Sequence, residues 1–331
     1  MASVGVLGAS GYAGALAAAL LHRHPFFELA YATSRSEAGI ALEAVHPRTR
    51  VPLTLETFDP ARHGEVDAAI VGYPHAAAAP AVAALRERGV RVVDLSADFR
   101  LRDLAVYEQW YGEHAAPELL EGAVYGLPEL YREQIRDADL VANPGCYPTA
   151  ALLGLAPLAR AGLIGDLIID AKSGVSGAGR EPSAATHFVT ADENLRPYKV
   201  EGHRHRPEIE QELALLGADV ALTFIPHLAP LAQGELDSCY VTPTRKVDDL
   251  ELHELYEKAY DDEPWVEVRR GPPGVLEVRD TNFCRMSVHQ DSHTGRVLVF
   301  SAVDNLWKGA ASQAVQNLNL MFGRDESEGL T

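Results

Sequence analysis

The chain has 331 residues, 47% hydrophobic and 23% charged, the composition of a folded globular protein of about two domains rather than a disordered or fibrous one. A formal net charge of −18 argues against a nucleic-acid partner, because phosphate backbones are bound by Lys and Arg patches. No run of about 18 apolar residues offers a membrane span, and residues 1–10 have no basic leader region and are interrupted by Gly5 and Gly8. The three cysteines, Cys146, Cys239 and Cys284, are too few and too far apart for a disulfide framework or a zinc cluster. No metal and no membrane are therefore expected, and a reducing cytoplasm is.

In chain order, 4–7 reads as a short buried strand, 12–23 as an Ala/Leu helix and 28–33 as a second strand. Strands over 68–71, 90–94 and 140–142 alternate with helices over 76–87 and 128–136, which predicts a parallel sheet covered by helices. Past residue 150 the texture changes. Strands over 167–172, 220–225, 235–241 and 297–302 are joined by long connections, as in a mixed α+β domain. A final Ala-rich helix over 308–322 is placed to return to the first domain. The expected division is 1–146, completed by 305–331, and 147–304, with a site in the cleft between two domains.

Between the first strand and first helix stands Gly8-Ala9-Ser10-Gly11-Tyr12-Ala13-Gly14. The first glycine permits a tight turn, the second lets backbone N–H groups approach a pyrophosphate, and the third lets helix and strand pack closely. Alone this is a weak signal, equally at home in a plain αβ turn. The second strand ends in Thr33-Ser34-Arg35-Ser36, with none of the carboxylates that hold a ribose 2′-hydroxyl. A hydroxyl and a guanidinium suit a 2′-phosphate, so NADP is favoured over NAD, unless Arg35 is simply a solvated loop residue.

The tract Leu140-Val141-Ala142-Asn143-Pro144-Gly145-Cys146-Tyr147-Pro148-Thr149 runs from a strand into an apolar helix. Gly145 permits a sharp bend and Pro148 suits a first helical turn, so Cys146 falls at a helix N-terminus. That position should lower its thiol pKa and offer N–H donors to an oxyanion. Cys146 is then a nucleophile able to take an acyl phosphate to a thioester, which hydride reduces to an aldehyde. The plain alternative is a small buried hydrophobe, as Cys239 and Cys284 are expected to be.

Gly202-His203-Arg204-His205-Arg206-Pro207-Glu208-Ile209 places two histidines two residues apart before a helix. In an extended segment both imidazoles point one way, where one of them can carry a proton to or from Cys146 or an oxyanion. A metal site lacks a third ligand, and a surface basic turn is the other reading. In Asp94-Leu95-Ser96-Ala97-Asp98-Phe99-Arg100, Arg100 either grips a substrate phosphate or pairs with Asp98 or Asp103.

These tracts, with Pro226-His227-Leu228-Ala229-Pro230 and Asp304-Asn305-Leu306-Trp307-Lys308-Gly309-Ala310, together resemble N-acetyl-gamma-glutamyl-phosphate reductase of arginine biosynthesis, over residues 4 to about 317. The resemblance implies an α/β fold: a Rossmann-type NADP-binding domain plus an α+β catalytic and dimerisation domain with a mixed sheet, in a homo-oligomer, dimer or tetramer. It implies Cys146 as nucleophile, His205 rather than His203 as acid/base, and NADP at Gly8, Ser10, Gly11, Tyr12, Ala13, Ser34, Arg35, Ser36 and Asn305. The loop Lys172-Ser173-Gly174-Val175-Ser176-Gly177-Ala178-Gly179 looks like the family segment near substrate and nicotinamide, which places Lys172 and Ser173 with Arg100 and Asn143 at the substrate and Ser176 at the cofactor. The implied substrate is N-acetyl-gamma-glutamyl phosphate. Two departures are Gln233, where the family usually has Arg, and Leu231, where it has Met.

Rival readings are a reductase of carrier-linked aminoadipate phosphate, whose cysteine lacks the Asn-Pro and Tyr-Pro flanks seen here, and a non-catalytic NADP-binding sensor.

Overall fold

The opening strand, β1 (Ala2–Leu7), is almost wholly buried, as a strand covered on both faces of a parallel sheet must be. In the computed structural model, which describes residues 1–330, it leads through α1 (Tyr12–His22), β2 (Phe27–Thr33), β3 (Ala68–Val71), α2 (Ala79–Arg86), β4 (Arg91–Asp94), α3 (Leu104–Tyr111), β5 (Ala123–Tyr125), α4 (Pro128–Arg136) and β6 (Leu140–Ala142). All six strands run parallel in the order β2-β1-β3-β4-β6-β5. The direction of winding reverses between β1 and β3, where sheets of this kind open a crevice beyond their carboxyl ends.

This sheet belongs to a unit made of Met1–Gly145 and Ala310–Thr331. The C-terminal helix, Ser312–Met321, is buried along its whole length and packs on α1, α4 and β4. Its Asn317 amide donates to the Gly126 carbonyl at 2.8 Å and to Asn143 Oδ1 at 3.0 Å. The expected single helix over 308–322 instead begins as a π-helical turn, Trp307–Ala311, and becomes regular only at Ser312.

The second unit, Cys146–Gly309, holds α5 (Cys146–Arg160), β7 (Ile164–Gly174), β8 (Arg196–Pro197), α6 (Arg206–Leu215), β9 (Leu222–Ala229), β10 (Glu235–Pro243), α7 (Asp249–Tyr260), β11 (Val266–Val268), β12 (Cys284–Gln290) and β13 (Val297–Val303). Its sheet has the order β11-β12-β13-β10-β7-β9-β8, parallel at β7/β9 and β11/β12 and antiparallel elsewhere, the mixed sheet the sequence predicts. Cys146 thus opens this unit rather than closing the first. Among the described residues no helix is long and apolar enough to cross a membrane.

Helix α5 is apolar all round and buried from 147 to 159, the pattern of a helix enclosed by its neighbours rather than lying on a surface. It carries Pro157 in its interior. Proline has no N–H, so the Leu153 carbonyl four residues earlier loses its helical donor. The Tyr260 hydroxyl donates to that carbonyl, and the Tyr256 hydroxyl donates to the neighbouring Gly154 carbonyl at 2.6 Å. Tyr260→Phe leaves one buried carbonyl bare, and thermal unfolding should show a loss of about 1–3 kcal/mol. An unchanged midpoint would mean that α5 does not need this donor.

Candidate active site

In the first unit the glycine turn has the geometry its sequence requires. Gly8 sits at φ +81°, in the left-handed region, and a Cβ there would lie 2.5 Å from the Gly72 carbonyl oxygen. The N–H groups of Gly8 and Ala9 both donate to the Thr33 carbonyl, at 3.0 and 2.9 Å, tying the turn to the end of β2. A Cβ on Gly14 would lie 2.3 Å from the Gly8 oxygen, which is how closely α1 is drawn onto the turn. Helix α1 begins at Tyr12 with Gly11 as its cap and no side chain bonded to its first N–H groups, which leaves a positive helix end for a phosphate. Around Gly11 a Cβ would meet only the Gly8 oxygen, at 3.5 Å.

The end of β2 is built into the same feature. Ser34 is buried, donates to the Ser10 hydroxyl at 2.8 Å and accepts from the N–H groups of Ser36 and Glu37. Arg35 and Ser36 stay exposed. A pyrophosphate fits the uncapped helix end, and a 2′-phosphate fits the exposed guanidinium and hydroxyls.

Two expected substrate residues of this unit also tie its strands together. Asn143 is fully buried, with its side-chain amide spent on the Ala310 and Pro144 carbonyls and its Oδ1 on Asn317. Arg100, 5% exposed, donates through Nε to the Asn143 carbonyl at 2.7 Å and through Nη2 to the Leu95 carbonyl at 2.8 Å. These bonds splice the ends of β4 and β6 together.

In the second unit Cys146 is the first residue of α5 and is partly exposed. Gly309 packs on it so closely that a Cβ there would lie 2.8 Å from the cysteine Cβ. The helix end does favour the thiolate through the Tyr147 N–H, but the outcome is opposite to the expected lowering. Protein around the sulfur, followed by the negative charge of Glu235, holds the thiol well above its usual range. Cys239 and Cys284 are core residues, 1% and 0% exposed.

The two histidines converge on Tyr147, the residue after the nucleophile. Both rings approach its ring edge-on at 5.7 Å, and they lie 4.8 Å from one another. They are joined by a turn entering α6 rather than by the extended segment expected. His203 is buried and His205 half-buried. The His205 N–H donates to His203 Nδ1 at 3.1 Å, which leaves the proton of a neutral His203 on Nε2, facing the Tyr198 hydroxyl at 3.4 Å. Tyr198 donates on to the Tyr147 hydroxyl at 3.5 Å, and Tyr147 to the His227 carbonyl at 3.3 Å. Burial pushes both phenols far above their ordinary range, so they stay neutral donors.

The loop after β7 is held by the end of β13. Asn305 Oδ1 accepts from the Gly234 N–H at 2.8 Å and its amide donates to the Ser176 hydroxyl at 3.0 Å. Ser173 is buried beside Gly177, its hydroxyl 3.2 Å from where a Cβ would stand. Lys172 is not brought to Cys146. Successive residues of a strand face opposite ways, and Lys172 lies on the other face of the sheet from Ser173, paired with Asp170 at 2.8 Å next to His227. Gln233 bridges Asp304 and Asp280, at 2.6 and 2.9 Å, and so serves the scaffold.

Sequence reasoning overlooked Glu235 and Asp237. Both are fully buried on the face of β10 covered by α5, and none of their four carboxylate oxygens has a hydrogen-bond partner among the described residues. Alternation along Glu235-Leu236-Asp237-Ser238-Cys239 puts them in phase with buried Cys239, and that phase was the available signal. Burial pushes Glu235 up to about 8 and Asp237 well above the carboxylate range, with Glu235 disfavouring charge on Asp237 and Asp304 disfavouring charge on Glu235.

Residues 3–138 match the family described as semialdehyde dehydrogenase, NAD binding domain, and residues 146–305 that described as semialdehyde dehydrogenase, dimerisation domain. The N-acetyl-gamma-glutamyl-phosphate reductase of Desulforudis audaxviator is 50% identical over 341 residues, covering 100% of this chain and 98% of its own. That of Methanopyrus kandleri is 49% identical over 338 residues, with the same coverage. Among solved structures, aspartate semialdehyde dehydrogenase II of Vibrio cholerae, complexed with ASA, superposes with a TM-score of 0.75 at 19% identity over 98% of each chain. Aspartate semialdehyde dehydrogenase of Candida albicans, with NADP, gives 0.72 at 15% identity over 97% of this chain and 98% of its own. Likeness at those identities speaks for the fold, whereas identity near one half along the whole length speaks for closer kinship. The chain belongs to the N-acetyl-gamma-glutamyl-phosphate reductase family, within the semialdehyde dehydrogenases.

Proposed function

We propose that this chain reduces N-acetyl-gamma-glutamyl phosphate to N-acetylglutamate semialdehyde with NADPH, through a thioester on Cys146. The observation that carries the reading is a partly exposed cysteine opening a buried helix, followed directly by a tyrosine ringed by His203 and His205. The thiolate attacks the acyl carbon and phosphate leaves. When bound, NADPH supplies the hydride that reduces the thioester. The tetrahedral adduct then collapses to aldehyde and regenerates the sulfur. His205, half-buried and next to His203, is the acid/base for the departing phosphate and the carbonyl oxygen.

In this reading Gly8, Ser10, Gly11, Tyr12 and Ala13 receive the pyrophosphate, and Ser34, Arg35 and Ser36 the 2′-phosphate. Ser173 and Ser176 line the reacting end, with Asn305 orienting Ser176. Arg100, its guanidinium fixed by two carbonyls, is the rigid cation for the substrate phosphate. Lys172 and Asn143 drop out of the substrate set on their placement. Self-association uses the sheet face opposite α5, where Ile168, Ile225, Leu236, Tyr240 and Phe300 form a half-exposed apolar row.

One assay of the reverse reaction tests substrate and cofactor together. With phosphate present, NADP reduction should be at least about 100-fold more efficient with N-acetylglutamate semialdehyde than with aspartate semialdehyde or a carrier-linked aminoadipate semialdehyde, and NAD should be the poorer acceptor. A preference for the carrier-linked aldehyde would reassign the substrate, and no turnover with any of them would leave a binding protein.

A further inference from the structure

We propose that Glu235 takes the proton of the Cys146 thiol as the nucleophile attacks and returns it to the sulfur as the aldehyde leaves. This rests on the reading of Cys146 as nucleophile. Glu235 is the first residue of β10, opposite Ser173 in the ladder, on the face that α5 covers. Its carboxylate lies against the Cys146 thiol and the Ser173 hydroxyl, yet neither contact reaches hydrogen-bond geometry, and both its oxygens are buried without a partner. A buried carboxylate with no donor is disfavoured until it acquires a proton. The Cys146 thiol beside it carries one.

Charge conservation favours this transfer over any that involves water. If the thiol ionised by losing its proton to solvent, a second buried negative charge would appear beside Glu235, and the repulsion between them is part of what holds the thiol so high. Moving the proton from Sγ to the carboxylate oxygen breaks one S–H bond, forms one O–H bond and leaves a single negative charge in the pocket throughout. The resulting carboxylic acid is then a donor beside the thiolate.

The groups facing Glu235 act in two senses: the Cys146 thiol and the Ser173 hydroxyl favour its charge, and burial and Asp304 oppose it. Asp304 after β13 disfavours its charge, Glu235 in turn disfavours that of Asp237 on its own strand, and Lys172, across the sheet, offsets only Asp237 and is itself paired with Asp170. Glu235 accordingly titrates at about 8, close to the pH at which it must both accept and donate.

The proton account closes. Acylation moves one proton from sulfur to Glu235, and collapse of the reduced adduct moves it back as the C=O bond re-forms and the C–S bond breaks. The proton that the overall reduction consumes goes to the departing phosphate, through the imidazoles or water, and never passes through Glu235.

The test compares wild-type full-length protein with Glu235→Gln, Glu235→Asp and Cys146→Ala. Two readings are taken: alkylation of Cys146 by iodoacetamide against pH, located by mass spectrometry, and turnover of semialdehyde, phosphate and NADP against pH. Removing the neighbouring charge should make the thiol more acidic, so Glu235→Gln should alkylate several-fold faster above pH 8, where Glu235 is ionised. Its turnover should nevertheless fall by about 100-fold and lose the inflection near 8, with Glu235→Asp recovering part of the rate. A structural role would move both readings the same way, and that outcome, or full activity in Glu235→Gln, overturns the proposal. Activity surviving in Cys146→Ala would remove the nucleophile instead, which separates the two failures.

Discussion

Cys146→Ala should lower turnover by on the order of 10⁴-fold or more while leaving NADP affinity within about twofold of wild type. The expected size follows from what the sulfur does. Without it no thioester forms, and hydride has no activated carbonyl to reach. No other thiol can substitute, because Cys239 and Cys284 are enclosed in the mixed sheet. Affinity should survive because the glycine turn and the Ser34 to Ser36 loop belong to the unit that does not contain Cys146. The pair of measurements is phosphate-dependent NADP reduction and a fluorescence titration of NADP. Retained turnover would eliminate covalent catalysis, whereas loss of both properties would mean that the substitution had damaged the fold.

Gly14→Ala should be nearly as harmful, for a purely geometric reason. The added methyl would stand 2.3 Å from the Gly8 carbonyl oxygen, a backbone atom that cannot swing away as a side-chain tip would. Either α1 lifts off the turn or the turn deforms, and both spoil the alignment of N–H groups with a pyrophosphate. Overpacking of this kind costs about 1–3 kcal/mol of stability, and a comparable loss of binding energy weakens NADP by about 100-fold. Gly271→Ala is the control, since a Cβ there meets nothing within 4 Å. Calorimetry and an NADP titration on both variants decide the matter, and wild-type affinity in Gly14→Ala would refute the close-approach argument.

Much of the first unit was legible because its signals are local. Apolar runs of four residues, an Ala-rich helix and glycines at fixed spacing placed β1, α1, β3 and β6 within a few residues. Helix α3 escaped because its Leu-Ala-Val-Tyr-Glu-Gln-Trp-Tyr sequence is aromatic and lacks helical periodicity, while its real start signal, Asp103 accepting from the Ala105 N–H at 2.8 Å, is a single residue. At the site, chemistry was easier to read than orientation. Residue types pointed to Cys146 and the His203/His205 pair, but the facing of Lys172 away from Ser173 depends on strand phase, and the internal tie made by Asn143 depends on a helix more than 160 residues later. The thiol pKa was misjudged in direction because helix-end electrostatics is visible in sequence, whereas a carboxylate about 90 residues away is not.

The return of the last helix to the opening sheet has a consequence for how the protein is made. Ser312–Met321 supplies packing for α1, α4 and β4, so the Rossmann-type unit is assembled from both ends of the polypeptide, whereas the mixed-sheet unit is one uninterrupted stretch. On the ribosome the interior stretch can close while the earlier-emerging residues still wait for their final helix. Competence to hold the dinucleotide is thereby deferred until residues 312–321 have emerged, and a nascent chain stopped short of residue 312 contains the nucleophile but leaves the cofactor's unit open at its seam.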